Sequence, residues 1–240
     1  MIDLHNHILP GIDDGCKTLE ESLALARAYV DYGFTAISTT SHIRPGLFDN
    51  NEDDIRGAVL QFRQSLEEQR IPLDVHAGAE YFFSDSFVAK VETPSQLLTL
   101  GDTGRYVLVE FSSIGRPSSL RDLVFRLQVH GVTPIIAHPE RYSFVAEDLS
   151  FVEELVEAGI LLQGTLSCLE GFWPSNARKT FKRLLDAGLL HLVSSDIHSA
   201  ANAKALLSEG VKRLKTMLGT SKAEDLLEHN PKKILEGRDL

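Results

Sequence analysis

The chain has 240 residues, 43% hydrophobic and 24% charged, the composition of an ordinary globular protein with room for one sizeable domain or two small ones. Its formal net charge is −10 and no run of lysine or arginine forms a basic patch, so no nucleic-acid partner is expected. No apolar stretch approaches the roughly 18 residues of a membrane span. The first residues carry no signal-peptide pattern, and Cys16 and Cys168 lie far apart, so a cytoplasmic protein without stable membrane association is expected.

The chain opens on an apolar run, Ile2–His5, that ends in His5-Asn6-His7, and the loop Gly11-Ile12-Asp13-Asp14-Gly15 adds Asp14. A helix is expected over Glu20–Tyr32, with Leu23, Leu25, Ala26 and Val30 as its apolar stripe and Gly33 as its stop. The second run, Ala36–Thr40, leads through Ser41 to His42, and Arg44-Pro45-Gly46-Leu47-Phe48 follows. A helix over Asp53–Gln69 precedes the third run, Leu73–Glu80. The fourth run, Tyr106–Phe111, carries Glu110, and a helix over Ser118–His130 leads to the fifth, Thr133–His138. Then come a helix over Phe151–Ala158, the run Ile160–Gln163, a helix over Asn176–Ala187 and the seventh run, Leu190–Asp196, which ends in Asp196-Ile197-His198. Helices over Ala203–Leu218 and Ala223–His229 complete the pattern.

Short apolar runs alternating with helical segments argue for parallel βα units. No linker or composition break divides them. The expectation is one α/β domain over residues 1–240, a (β/α) barrel with seven repeats instead of eight; a doubly wound open sheet is the alternative. In a parallel barrel the C-terminal strand ends share one face, where active sites sit. His5, His7, Asp14, His42, Glu80, Glu110, His138, Asp196 and His198 would converge there. Side chains two apart at a strand end point the same way, so His5 and His7, or Asp196 and His198, can face one ion. Glu80 can bridge two. A lone histidine is usually structural; it is the repetition at successive strand ends that points to metals. Mixed imidazole and carboxylate shells suit manganese, iron or zinc better than magnesium or calcium. His76, His130, His191 and His229 read as structural or solvent-exposed. A cysteine phosphatase would need Cys-x5-Arg, but Ser22 and Pro174 stand six residues after the two cysteines.

The segment from Met1 to Gly15 resembles the opening of the PHP (polymerase and histidinol phosphatase) metallophosphoesterases. More narrowly, it is similar to the bacterial protein-tyrosine phosphatases encoded with capsule and exopolysaccharide genes. The resemblance continues through Thr40-Ser41-His42, Gly78-Ala79-Glu80, Val109-Glu110-Phe111, Ala137-His138-Pro139-Glu140-Arg141, Ser195-Asp196-Ile197-His198 and Asn230-Pro231, and so covers nearly the whole chain. It implies a distorted PHP-type barrel with two or three metal ions, usually manganese. One ion would take His5, His7, Glu80 and Asp196; a second Asp14, His42 and His198; a third Glu80, Glu110 and His138. Arg141 matches an arginine expected to contact phosphate, with a salt bridge to Glu140 or Glu147 as its alternative role. Arg141, Asp14 and His42 are the catalytic candidates. Arg44 could add a second phosphate contact and Leu47 or Phe48 a ring contact, or the segment could be an ordinary turn. Two departures stand out. The stretch Ser199–Lys204 lacks the arginine usual after the second Asp-x-His, and Thr165 lies near where an asparagine is usual.

The resulting expectation is hydrolysis of phosphotyrosine in a protein by a metal-bridging hydroxide, with a bacterial tyrosine kinase of exopolysaccharide synthesis as partner. The rivals are a small-molecule phosphatase, such as a histidinol phosphatase, and a non-catalytic PHP-fold binding module. A phosphodiesterase or nuclease suits the acidic charge less well.

Overall fold

The computed structural model describes residues 1–117 and 120–240. Among the described residues there are nine short strands: β1 Ile2–Asp3, β2 Ala36–Ser38, β3 Ser41–Ile43, β4 Asp74–His76, β5 Ala79–Phe82, β6 Tyr106–Glu110, β7 Thr133–Ala137, β8 Leu161–Thr165 and β9 Leu192–Ser194. They form two all-parallel sheets, one ordered β1-β2-β4 and the other β3-β5-β6-β7-β8-β9. The helices between them include α1 Leu19–Asp31, α2 Glu52–Glu68, α3 Asp85–Lys90, α4 Leu120–Val129, α5 Ser143–Glu147, α6 Ser150–Glu157, α7 Leu166–Leu169 and α8 Ser175–Asp186. The start of the helix expected over Ser118–His130 lies outside the described residues.

One of the expected runs is cut short and another is split in two. Ala36–Thr40 continues past a break into β3, and Leu73–Glu80 divides into β4 and β5. Both breaks occur where the chains press together: a Cβ on Gly78 would stand 2.5 Å from Ser38 Oγ and 2.8 Å from Thr39 O. Only glycine permits that approach. The free edges of the two sheets also meet. Asp196 N donates to His5 O at 2.8 Å and His7 N to Ile197 O at 2.9 Å, around a parallel bridge between Asn6 and Ile197.

The strands are buried on both faces, as parallel strands covered by helices must be. One apolar cluster includes Ile2, Leu4, Leu108, Ile135, Ala137, Leu161 and Leu192; a larger one packs the other faces against the helices. Because side chains alternate, Glu110 shares a face with Leu108, and Gln163 with Leu161. The smaller cluster therefore forms the floor beneath the polar strand ends.

Local signals set most helix ends. Thr18 caps α1 by accepting from Glu21 N, and Asn51 and Asp54 form a capping box on α2. Gly33, expected as a stop, does turn the chain at φ 85°, and Gly188 does the same after α8 at φ 70°. The inward face of α1 differs from expectation. Ser22, Leu25, Ala26 and Tyr29 are buried, whereas Leu23 and Val30 are only half-buried. Tyr29 is drawn inward because its hydroxyl donates to the buried Asp3 carboxylate at 2.5 Å. The helix expected over Ala203–Leu218 is a π-helical turn, Lys204–Gly210, followed by an α-helix, Val211–Leu218.

Candidate metal centre

His5 and His7 follow β1, His42 lies in β3, Glu80 in β5 and Glu110 ends β6. His138 follows β7, and Asp196 and His198 follow β9. All face one mouth, and the 11–15 loop brings Asp14 over it. His5 Nε2 stands 3.2 Å from both Glu80 Oε2 and Asp196 Oδ1, and His7 Nε2 3.4 Å from Asp196 Oδ1. His42 Nδ1 is 3.1 Å from Glu80 Oε2 and 3.5 Å from Glu110 Oε1. At the rim, Asp14 Oδ1 lies 3.5 Å from His42 Nε2 and 3.4 Å from His198 Nε2. His138 Nε2 meets Glu80 Oε1 at 2.9 Å.

These side chains can supply four metal-sized groups: His7-Asp14-His42-His198, His5-His7-Asp196, His5-Glu80-His138 and His42-Glu80-Glu110. The first contains the whole of one expected ligand set, Asp14, His42 and His198, and the second contains three of the four residues of another. The third expected set is divided: His138 stands on Oε1 of Glu80, whereas His42 stands on Oε2 and beside Glu110.

The donor atoms fit cations better than one another. His5 Nε2, His7 Nε2, His42 Nδ1, His138 Nδ1, Glu80 Oε2 and Glu110 Oε1 are buried without a hydrogen-bond partner. A native interior rarely leaves so many polar atoms unpaired in one place. Donors about 2.1 Å from a shared ion stand about 3.0–3.4 Å apart, the spacing found here. Electrostatics agree. Burial and the neighbouring Glu80 raise the Glu110 carboxyl to about 8, as expected where acids crowd together without cations. Burial alone would lower the His5 imidazole, but Glu80 and Asp196 overcome it and raise it to about 9. Burial lowers His138 to about 4, which keeps it neutral and able to ligate.

Several histidines are oriented from behind, as metal ligands usually are. His7 Nδ1 pairs with Asp13 Oδ2 at 2.9 Å, His5 Nδ1 with Gln163 Oε1 at 2.8 Å, and His198 Nδ1 with Asp196 O at 3.1 Å. Asp13 is buried and also accepts from Gly15 N at 2.9 Å and His42 N at 3.3 Å. The sequence reading singled out Asp14 and passed over Asp13. The available signal was Gly15, where a Cβ would fall 2.0 Å from His7 O, so only glycine lets the loop fold back onto the histidine. His138 and Asp196 adopt left-handed backbone, at φ 37° and 53°, a strain that clusters at functional sites.

Arg141 bonds neither Glu140 nor Glu147. It forms an ion pair with Asp196 Oδ2, reaches Ser167 Oγ at 3.2 Å, and places Cζ 3.9 Å from the centre of the Trp173 ring. Glu140 instead accepts from Thr165 N and Oγ1 at 2.8 and 2.7 Å. Arg44 lies at the rim, its Nη1 3.8 Å from Glu110 Oε1 and its guanidinium over Phe82. Phe48 stacks on His42 at 5.0 Å. Lys204 is exposed, and the cleft beside His198 is lined by Asn202. His76 and His229 pair with Asp74 and Asp225, and His130 is exposed; like His191, none belongs to a metal-sized group.

The family model for capsular polysaccharide synthesis proteins CpsB/CapC matches residues 1–236. The chain belongs to the CpsB/CapC family. Tyrosine-protein phosphatase YwqE of Bacillus subtilis is 35% identical over 223 residues, covering 92% of this chain and 86% of YwqE. Tyrosine-protein phosphatase CpsB of Streptococcus pneumoniae is 31% identical over 245 residues, covering 98% of each. The fold also superposes on a chain from the crystal structures of YwqE and CpsB, described as unique metal-dependent tyrosine phosphatases. That match has a TM-score of 0.91 at 33% identity and covers 100% of this chain and 96% of the other. In this CpsB/CapC chain both cysteines are buried, and burial pushes the Cys16 thiol up to about 12, far from a reactive thiolate.

Proposed function

We propose that the chain is a metal-dependent protein-tyrosine phosphatase acting in capsule or exopolysaccharide synthesis. The observation that carries this is the cluster of unpaired buried nitrogen and carboxylate atoms in a chain that aligns almost end to end with tyrosine-protein phosphatases. The whole chain, 1–240, is read as one PHP-type domain. Its two sheets, hydrogen-bonded to each other at Asn6 and Ile197, are read as a distorted (β/α)7 barrel. No helix among the described residues is long and apolar enough to cross a membrane. A cytoplasmic location and a bacterial tyrosine kinase as substrate belong to the same proposal.

Two or three ions, manganese by preference and iron or zinc otherwise, would be held by His5, His7, Asp14, His42, Glu80, Glu110, His138, Asp196 and His198. Such ions supply Lewis acidity, neutralising phosphate charge and lowering the pKa of water toward neutrality. The protein's own groups do the rest. Arg141, kept in place by Asp196 and Trp173, presents a fixed cation to phosphoryl oxygens as charge develops. Arg44 offers a second, more exposed one. With Oδ1 of Asp14 committed beside His42 and His198 at the open rim, its second carboxylate oxygen would be the one left to take a proton from a water entering the mouth. A phenolate, whose conjugate acid has a pKa of about 10, leaves with little protonation, so phosphotyrosine asks less of a general acid than phosphoserine does.

The test is metal dependence without thiol dependence. Chelation should abolish p-nitrophenyl phosphate hydrolysis and manganese should restore it, while a folded Cys16→Ser, Cys168→Ser double variant keeps its rate. Loss of activity in that double variant would contradict the proposal.

A further inference from the structure

Two large hollows, of about 640 and 620 Å³, are lined by none of the nine donor residues. A smaller cleft of about 170 Å³ does reach them: Asp196 and His198 line it together with Phe172, Trp173 and Asn202. We propose that Trp173, with Phe172 beside it, is the wall that receives the phosphotyrosine ring and sets the preference for aryl over alkyl phosphates. The inference rests on the phosphatase reading and concerns substrate recognition at the same site.

Trp173 and Phe172 lie on the connection between α7 and α8 and remain 40% and 46% exposed. An exposed aromatic alone means little, since Phe125 is more exposed still. What distinguishes Trp173 is that it is fixed in place. Its Nε1 donates to Ser167 Oγ at 3.2 Å, its neighbour Phe172 donates through its backbone N to Ser167 O at 3.2 Å, and the Arg141 guanidinium lies over the ring at 3.9 Å. The indole is thus oriented without being buried, and it lines the cleft. A rigid aromatic wall gains contact area at little entropic cost.

The same guanidinium touches the indole and Asp196, so phosphate and ring would be recognised by adjoining groups. A phosphate at the donor cluster places its ester substituent in this cleft, where a phenyl ring meets Trp173 and Phe172. A seryl methylene is too small to cover either. Phe48 stacks on His42 and Leu47 sits 59% exposed at the tip of its turn, and neither lines this cleft.

The chain contains a single tryptophan, so intrinsic fluorescence reports on Trp173 alone. The manganese-loaded protein would be titrated with phenylphosphonate and with methylphosphonate, neither of which is a hydrolysable ester. Phenylphosphonate should change the tryptophan emission and bind about five- to tenfold more tightly, the scale of one aromatic contact. By calorimetry, Trp173→Phe should keep that preference, Phe172→Ala should reduce it while leaving methylphosphonate affinity and bound metal unchanged, and Trp173→Ala should remove it. Because Trp173→Ala also removes a partner of Arg141, the Phe and Phe172 variants carry the test if it unfolds. Equal binding of the two phosphonates, or emission that phenylphosphonate does not move, overturns the inference while turnover of phosphotyrosyl peptide leaves the phosphatase reading standing. Absence of any such turnover removes the reading and the inference together.

Discussion

At the scale of single residues, Arg141 and Asp13 have opposite jobs although both sit close to the donor cluster. Arg141 approaches from the substrate side: its Nε has no partner, and its Nη2 is shared among Asp196, Ser167 and Thr165. Asp13 lies behind His7 and is sealed from solvent by the 11–15 loop. Arg141→Ala should therefore lower turnover by about 10²-fold or more, the cost of losing a charge-stabilising donor, with metal content unchanged. Asp13→Ala should instead weaken metal binding by about 10- to 100-fold, the usual cost of removing a carboxylate behind a ligand histidine. Activity in that variant should recover at high manganese. Metal analysis beside kinetics checks the pair; metal loss in Arg141→Ala would mean that the arginine serves Asp196 and not phosphate.

At the scale of elements, the strand ends carry the candidate donors because alternation and parallel order bring them to one face. That much was legible in the sequence. The polar residues ending the runs at His5, His42, Glu80, Glu110, His138 and Asp196 do converge. What was not legible depends on contacts between distant segments. The split of Leu73–Glu80 arises from the approach of Gly78 to Ser38 and Thr39, and the partner of Arg141 lies 55 residues away at Asp196. Trp173 follows no apolar period, so nothing local marked it as part of the cleft. The 11–15 loop offers a test at this scale. A Cβ at position 15 would stand 2.0 Å from His7 O and 2.5 Å from His7 Cβ. Gly15→Ala should therefore push the loop off His7, free both Asp13 and Asp14, and cost most of the bound metal while the remaining fold survives. A Gly15→Ala protein that keeps full metal content would show that the loop does not support the centre.

At the scale of the whole molecule, the donors grade from buried to open. His5 and His7 are fully buried, whereas the side chains of Asp14 and His198 are 52% and 33% exposed. The mouth thus stays accessible to a polypeptide, and a small ligand finds little surface in which to be enclosed, apart from the cleft at Trp173. An open site of this kind should show a KM for small aryl phosphates near or above the millimolar end of the usual range, with phosphotyrosyl peptides used more efficiently. Phosphoserine should be poor, because its alkoxide leaves reluctantly without a general acid. The most direct measurement compares kcat/KM for a phosphotyrosyl peptide, the matching phosphoseryl peptide and histidinol phosphate on one manganese-loaded preparation. The expected order places the phosphotyrosyl peptide first by at least about tenfold; histidinol phosphate ahead by the same factor would contradict the protein-phosphatase account and make the metabolic phosphatase the function of this site.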